Sequence, residues 1–129
     1  MTGNLITSCS VSSVFNGDNA NYGKRFLIDG SDETCWQSSS TLPHIITCKL
    51  KEALKGDFTL RIQFQGGFAG TCLVVNGEHN VCPLNINEMQ EFPLRMNEPT
   101  DILKLEIKSS SDFYGRVIIY HLQFIRKEK

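Results

Sequence analysis

Apolar and polar residues alternate strictly in two parts of the chain. In residues 58–64, every second position is occupied by a large apolar side chain: Phe58, Leu60, Ile62 and Phe64. Residues 103–107 repeat the pattern around Lys104 and Glu106. Because successive side chains of a strand point to opposite faces, both segments are predicted to be strands with one buried face.

Weaker alternation predicts further strands along the chain. Residues 45–50, 71–75 and 91–96 each carry a short run of this kind. Residues 7–14 are rich in serine, which suits an edge strand. Residues 116–125 are apolar in both phases, which is typical of a central strand covered on both faces.

Helical periodicity is confined to one short segment. Residues 19–28 could form a helical turn capped by Asp18 or Asn19, although Gly23 weakens it. Turn residues separate the strands at positions 66–70, 76–77, 97–99 and 109–115. Seven or eight short strands with irregular connections predict an all-β fold, an antiparallel two-sheet sandwich of the jelly-roll type.

Composition limits the size of the fold and the class of partner. The chain has 129 residues, which predicts one domain over residues 1–129. Thirteen basic side chains are balanced by 14 acidic ones, so no net positive field favours direct contact with nucleic acid. Balanced charge, and the lack of a long bare strand edge in the pattern, also favour a monomer.

The first residues and the cysteines bear on the compartment. Residues 1–6 contain neither a basic cluster nor an apolar run, so we expect no signal peptide and no membrane contact. Five cysteines form an odd set without a Cys-x-x-Cys pair, which fits reduced thiols better than a disulfide framework. We therefore expect a protein of the nucleus and cytoplasm.

Catalytic motifs are missing from the sequence. The three histidines, His44, His79 and His121, are far apart, and the sequence has no Gly-x-Ser-x-Gly elbow, no His-Glu-x-x-His motif and no phosphate loop. We therefore expect that the protein is not an enzyme.

An acidic turn precedes the single tryptophan of the chain. Asp29 and Gly30 are turn-forming residues, Asp32 and Thr34 add further oxygens, and Trp36 follows as a large anchor with one polar N–H. Such a turn either closes a sandwich or holds a cation.

Three segments carry a resemblance to a known family: residues 29–38, 62–68 (Ile-Gln-Phe-Gln-Gly-Gly-Phe) and 112–122 (Asp-Phe-Tyr-Gly-Arg-Val-Ile-Ile-Tyr-His-Leu). In sequence and in order they resemble the nuclear receptor-associated proteins described as repressors of testicular orphan receptor four. The Asp-Gly turn before Thr-x-Trp and the late Gly-Arg resemble, more distantly, discoidin domains and other galactose-binding-like jelly rolls. The Trp-Gln-Ser at 36–38 with the later Pro-His at 43–44 resembles the Doc-type jelly roll of the anaphase-promoting complex. All three resemblances imply one fold.

The resemblance also implies a role for the acidic turn. In many carbohydrate-binding relatives this turn holds calcium through an aspartate, a threonine hydroxyl and a glutamate of the last strand. Asp29 and Thr34 match, with Asp32 as a further oxygen, but His121 stands where the glutamate is expected, and imidazole is a poor ligand for calcium. We interpret Asp29, Trp36 and His121 as structural, with His121 as a hydrogen-bond partner that replaces the cation. No cofactor is expected, and calcium at Asp29, Asp32 and Thr34 is the alternative.

Three connections resemble those that cluster at one end of the jelly roll in discoidin and Doc-type relatives: residues 36–42, 65–70 and 112–116. We call them together the loop end. They carry aromatic and arginine side chains, the types that dominate interaction hot spots. Phe68 and Tyr114 lie beside glycines and are expected to be exposed. The residues predicted to contact a ligand or partner are Gln37, Ser38, Gln65, Phe68, Phe113, Tyr114 and Arg116.

Two of these residues have a structural alternative. Phe113 could fill the end of the core instead of facing solvent. Arg116 could form an internal ion pair with Asp29 or Asp112.

Three functions fit these features. The family resemblance implies a non-enzymatic intracellular module that docks on a nuclear receptor or another transcription factor and represses it, and this is the function that we expect. A lectin-like domain would bind a carbohydrate or another small ligand at the loop end. A Doc-like protein would be a subunit of a larger assembly.

Overall fold

Antiparallel strands form most of the computed structural model, which describes residues 3–127. These strands are β1 (Ile6–Val11), β2 (Trp36–Gln37), β3 (His44–Phe64), β4 (Gly70–Val75), β5 (His79–Val81), β6 (Met89–Ser110) and β7 (Ile118–Arg126). Between β1 and β2 lie a short helix, α1 (Asn19–Tyr22), and two 3-10 turns, Phe15–Gly17 and Lys24–Leu27. Among the described residues, none of the helical segments has the length and apolar character that crossing a membrane requires.

Strands β3 and β6 are long because each passes through both layers of a sandwich. The first part of β3 pairs with β1 and with the last part of β6, whereas its second part pairs with the first part of β6 and with β7. Register shifts on either side of Leu54 mark the bend, and Gly56 there has φ of 116°, which suits glycine. One layer is therefore ordered β1-β3-β6-β4-β5 and the other β2-β7-β3-β6.

Alternate side chains from both layers fill one hydrophobic core. The four apolar residues of the 58–64 alternation are all buried, and the ring of Phe58 stacks on that of Phe124 in β7 with centroids 4.8 Å apart. Burying one such side chain stabilises the fold by about 1.5–3 kcal/mol. The core thus fixes the strand ends from which the loop end extends.

The breaks between strands differ from those predicted. Four predicted strands are fused into two: residues 45–50 with 58–64, and 91–96 with 103–107. The turn predicted at residues 97–99 is a bend within β6, since Thr100 beyond it still pairs with Leu54. Extended backbone continues through the bend because β3 provides hydrogen-bond partners on both sides of it.

Residues 19–28 form α1 and a 3-10 turn instead of one helical segment. Asp18 caps α1, and its Oδ1 accepts the backbone N–H of Asn21 at 3.2 Å. Gly23 separates the two parts, and a Cβ at this position would lie 2.5 Å from the carbonyl oxygen of Asn19. This close approach allows only glycine and ends α1 after one turn.

Candidate functional site at the loop end

The three loop-end connections meet at the start of β7. The backbone N–H of Gln65 donates to the carbonyl of Ile118, and the N–H of Ile118 donates to the carbonyl of Phe68, both at 3.0 Å. The N–H of Val117 donates to Oγ of Ser38 at 2.8 Å, which ties the first connection to the same strand. The third connection leads directly into β7. The structure therefore brings together the three connections that were predicted to cluster at one end.

A tight turn at residues 112–115 projects two aromatic side chains from the loop end. The N–H of Gly115 donates to the carbonyl of Asp112 at 3.0 Å, so Phe113 and Tyr114 are the central residues of a β-turn. Their rings pack edge to face with centroids 5.2 Å apart, yet the residues are 93% and 69% exposed. The alternative that Phe113 fills the core is therefore wrong. We call this pair the aromatic tip and the turn at residues 112–115 the aromatic turn.

The polar groups of the turn hold it from within. The Asp112 carboxylate accepts the backbone N–H of Arg116 at 3.0 Å, and its Oδ2 lies 3.5 Å from Nε of the same residue. Ser110 Oγ donates to the carbonyl of Arg116 at 2.6 Å and accepts the N–H of Asp112 at 3.0 Å. The internal partner of Arg116 is thus Asp112 and not Asp29. A turn held in this way loses little conformational entropy when its tip binds.

Arg116 also lies over two aromatic rings. Its guanidinium carbon is 4.9 Å from the ring centroid of Phe68 and 5.5 Å from that of Phe15. Such a contact contributes about 0.5–2 kcal/mol, depending on how far it is desolvated. Phe68 is half-buried under Arg116, so the expectation that its side chain is exposed is wrong. Phe15 was not predicted here, because nothing in its local sequence places the first 3-10 turn beside residues a hundred positions away.

A fourth connection, residues 82–88, closes the loop end and was also missed. Asn85 Oδ1 accepts the N–H of Gly67 at 2.8 Å, and Asn87 Oδ1 accepts the N–H of Gly66 at 2.9 Å. Asparagine often satisfies loop backbone in this way. The Asn-x-Asn spacing is a local signal of a turn, but it does not reveal which distant loop supplies the donors.

Ser38 is fully buried and does not face a ligand. Its hydroxyl donates to the carbonyl of Ser39 at 2.8 Å and accepts the N–H of Val117. Buried backbone groups need such partners, so the hydroxyl has a structural task. The prediction of Ser38 as a contact residue is therefore wrong.

His44 lies directly beneath the aromatic turn. Its Nε2 is 2.7 Å from the carbonyl oxygen of Gly115 and 3.1 Å from Ser38 Oγ. Burial lowers the pKa of His44, and its hydrogen bond to Gly115 only partly opposes this effect. The ring is therefore neutral near pH 7 and donates its Nε2–H to the Gly115 carbonyl. His44 thus fixes the residue that ends the aromatic turn.

Two predicted contact residues have internal partners for one polar group each. Gln65 is half-buried, and its Oε1 accepts the hydroxyl of Tyr120 at 2.9 Å. Gln37 is half-buried in β2, and its amide nitrogen lies 3.6 Å from the sulfur of Cys35. Burial raises the pKa of Tyr120, with a smaller contribution from the nearby Cys35, so this phenol remains a hydrogen-bond donor. Both glutamines support the loop end from its sides.

The acidic turn is closed on itself and on β7. Asp29 accepts the N–H of Ser31 at 3.1 Å and the hydroxyl of Thr34. His121, which is buried in β7, has its Nε2 2.6 Å from Oδ1 of the exposed Asp32. The acidic turn is therefore attached to the last strand through the contact between the His121 imidazole and the Asp32 carboxylate.

This arrangement does not fit the calcium alternative. Asp29 bonds to Ser31 and Thr34, and Asp32 bonds to His121, so three of the four carboxylate oxygens already have partners within the protein. Across residues 3–127, no three His, Cys, Asp or Glu side chains are grouped so that they could hold a metal ion. The neighbouring Trp36 is fully buried, and its Nε1–H donates to the carbonyl of Ser13 at 3.0 Å.

The fold matches solved structures of one class. A family 32 carbohydrate-binding module of NanJ from Clostridium perfringens, solved with galactose, has a TM-score of 0.71 at 17% identity and covers 97% of this chain and 98% of its own. An F5/8 type C domain from Bacteroides fragilis has a TM-score of 0.73 at 14% identity, with 95% and 92% covered. The chain is therefore a galactose-binding-like, discoidin-type β-sandwich, as predicted. At these identities the likeness shows the fold alone.

Curated relatives define the family within this class, whereas no protein-family model matches the chain. The human nuclear receptor 2C2-associated protein is 34% identical over an alignment of 137 positions, gaps included, which covers 97% of each chain. The Danio rerio protein of the same name is 33% identical over 128 residues, covering 92% of this chain and 90% of its own. The chain belongs to the nuclear receptor 2C2-associated protein family. The resemblance drawn from its sequence is thereby confirmed.

Proposed function

We propose that this chain is a non-enzymatic interaction module whose aromatic tip docks on a protein partner. The observation that carries the proposal is the exposed, edge-to-face pair of Phe113 and Tyr114 on a turn held by internal hydrogen bonds. Exposed aromatic side chains on a preorganised turn are typical of interaction hot spots. The relatives are named for association with nuclear receptor 2C2, so a nuclear receptor is the partner that we propose.

The polar surroundings of the aromatic tip favour a protein over a sugar. Carbohydrate sites combine an aromatic surface with polar groups that are free to bond hydroxyls in a concave pocket. At the loop end, the Asp112 carboxylate bonds to Arg116, and the Ser38 hydroxyl is buried. Gln65 has its Oε1 engaged by Tyr120. These polar groups are thus engaged within the fold, and the tip offers mainly its exposed aromatic rings.

Carbohydrate binding at the same tip is the second candidate function. It is favoured by the exposed rings of Phe113 and Tyr114, which a sugar could stack on, and by structural neighbours solved with galactose or chitotriose. These neighbours supply the ligand class to be tested.

The consequence of docking follows from the family resemblance. We propose that the module works in the nucleus and cytoplasm and that its binding lowers the transcriptional activity of the receptor. Each copy of the chain carries one aromatic tip, so a monomer suffices for this role. Reporter transcription with and without the chain tests the repression, and localisation of a tagged chain tests the compartment.

Calorimetric titration of the purified chain with nuclear receptor 2C2 tests the proposal. We expect Phe113→Ala and Tyr114→Ala each to weaken binding at least about 30-fold, since truncating a hot-spot residue costs about 2 kcal/mol or more. The matched control is Ile102→Ala, which truncates an exposed apolar side chain near the bend of β6, away from the loop end. This control should bind as the wild type does.

Other outcomes separate the alternatives. Unchanged receptor binding by both aromatic variants, or no binding by the wild type, would overturn the proposal. Titration with galactose that gives binding in the wild type and none in Tyr114→Ala would establish the carbohydrate function instead. Co-purification of the native chain in a stable complex of fixed composition, without a receptor, would indicate a subunit of a larger assembly.

A further inference from the structure

Two cysteines face each other across an edge of the sandwich. Cys9 in β1 is the direct cross-strand partner of Cys48 in β3, and their sulfur atoms are 3.6 Å apart. Both are free thiols, Cys48 fully buried and Cys9 9% exposed. Directly opposed residues of antiparallel strands have Cβ atoms about 4.5–5.5 Å apart, close to the separation that a disulfide requires. A small movement of the edge strand therefore suffices to link them.

Solvent reaches the pair from the side of Cys9. This residue lines two adjoining grooves with volumes of about 430 and 220 Å³. Lys24 lines both grooves, Lys49 lines the larger and Arg25 the smaller, and neither groove has an acidic lining residue. Positive side chains around a concave surface attract anionic molecules.

The two thiols are not equivalent. The hydrogen bond from Cys48 lowers the pKa of Cys9, burial opposes this effect, and the charge of Lys24 adds to the lowering. The pKa of Cys48 is raised by the same hydrogen bond and by burial. Cys9 is therefore the more acidic thiol of the pair, and Cys48 the less acidic.

We propose that Cys9 and Cys48 form a thiol–disulfide exchange site for a small anionic disulfide, in which Cys9 attacks and Cys48 resolves. In the first step, the Cys9 thiolate bonds to one sulfur of the reagent, the S–S bond of the reagent breaks, and the other half leaves as a thiolate. In the second step, Cys48 sulfur bonds to Cys9 sulfur and displaces the first half, which leaves with the proton of Cys48. The two cysteines are oxidised and one disulfide is reduced to two thiols.

The test uses oxidised glutathione as the anionic disulfide and the folded wild-type chain. After different reaction times the exchange is quenched with acid, the chain is unfolded and its remaining thiols are alkylated with an excess of a maleimide near neutral pH. Peptide mass mapping then assigns the state of every cysteine. We expect a Cys9–Cys48 disulfide in the wild type and an accumulating glutathionyl adduct on Cys9 in Cys48→Ser. In Cys9→Ser, Cys48 should remain a free thiol. Cys82, which is exposed, reports in every sample that the reagent is active.

A charge variant tests why the reagent should be anionic. Lys24→Gln should slow the reaction of Cys9 with oxidised glutathione about two- to fivefold, as expected for loss of one exposed charge interaction. It should slow the reaction with hydroxyethyl disulfide, a neutral reagent, less, because only the contribution of Lys24 to the pKa of Cys9 is then lost. Equal slowing with both reagents would refute the proposed preference for anions.

The wild-type chain alone can overturn the proposal, so no variant needs to fold for the test to decide. If Cys82 is modified while Cys9 and Cys48 remain thiols, the pair is not an exchange site. A disulfide that forms only after urea is added would have the same meaning, because it would arise from the unfolded chain. Circular dichroism of each variant checks that it retains the β-sandwich.

Discussion

Two turns contact the last strand, and they use their side chains in opposite ways. The acidic turn directs its oxygens into the protein, where Asp29 accepts from Thr34, and Asp32 contacts His121 of β7. The aromatic turn likewise satisfies its polar groups internally but leaves Phe113 and Tyr114 in solvent. The acidic turn therefore uses its side chains to build the fold. The aromatic turn leaves two side chains, Phe113 and Tyr114, exposed, and the fold does not depend on them.

This difference separates a feature that identifies a fold from a feature that suggests a function. The acidic turn and the tryptophan that follows it are recognisable in the sequence. Asp29 and Trp36 both make contacts within the fold. The aromatic pair is also recognisable in the sequence, but its rings are exposed instead of being engaged in the fold. Binding should therefore depend on the exposed rings of the aromatic turn, whereas stability should depend on the engaged side chains of the acidic turn and on the internal contacts that hold each turn in place. Four experiments probe that division.

The largest expected difference in stability is between variants of Trp36, which follows the acidic turn, and variants of Phe113 in the aromatic turn. Trp36→Ala should lower the free energy of unfolding by about 3–5 kcal/mol, because it empties a fully buried site and leaves the Ser13 carbonyl without its donor. Phe113→Ala should change it by no more than about 0.5 kcal/mol, since its ring is exposed. Urea denaturation at pH 7 measures both. Similar losses in the two variants would contradict the division of roles.

A glycine in each turn allows a matched comparison of backbone strain. Gly30 and Gly115 have φ of 76° and 85°, so alanine at either position costs about 1–2 kcal/mol. A Cβ on Gly30 meets nothing within 4 Å, whereas one on Gly115 would lie 2.8 Å from the carbonyl oxygen of Ser40. Gly115→Ala should therefore lower the free energy of unfolding by about 1–3 kcal/mol more than Gly30→Ala does, as measured by the same urea denaturation. Equal losses of unfolding free energy in the two variants would mean that the backbone at Ser40 moves away from residue 115 at no energetic cost.

The sequence predicts the fold class well because strand alternation is local. The strict alternation at residues 58–64 is enough to identify a buried strand face, and all four apolar residues there are buried. The continuity of β3 and β6 is not predictable in the same way. It depends on pairing between Leu54 and Thr100, and a turn-like composition at residues 97–99 conceals it.

The loop end is only partly predictable for a related reason. Phe113 and Tyr114 could be identified by residue type and by the neighbouring glycine. Ser38 could not be recognised as buried, because its hydroxyl bonds to the backbone of Val117, which lies 79 positions away in the sequence. Residue type tells which side chains could bind a partner, and only the folded chain tells which are already engaged.

Acid should weaken the support of the aromatic turn at His44. Because burial lowers the pKa of His44 in the folded state, the unfolded chain takes up its proton first as the pH falls below its ordinary value of 6.5. Stability from this residue is therefore fully present above pH 6.5 and is lost as the pH falls toward the lowered folded pKa. In His44→Gln this proton uptake is absent. The difference in unfolding free energy between wild type and variant should therefore become smaller as the pH is lowered from about 7 to about 5. A constant or widening gap would show that His44 is protonated in the folded protein.

The smallest expected effect is that of calcium on the acidic turn. A ligand that binds only the folded state raises the melting temperature by mass action. Because Asp29 is engaged by Thr34 and Asp32 by His121, we expect melting curves in excess calcium and in excess chelator to coincide. Magnesium serves as the control for general ionic effects. An increase of about 3 °C or more that is specific to calcium would mean that the turn releases its internal hydrogen bonds to a cation, and that it is more than a structural clasp.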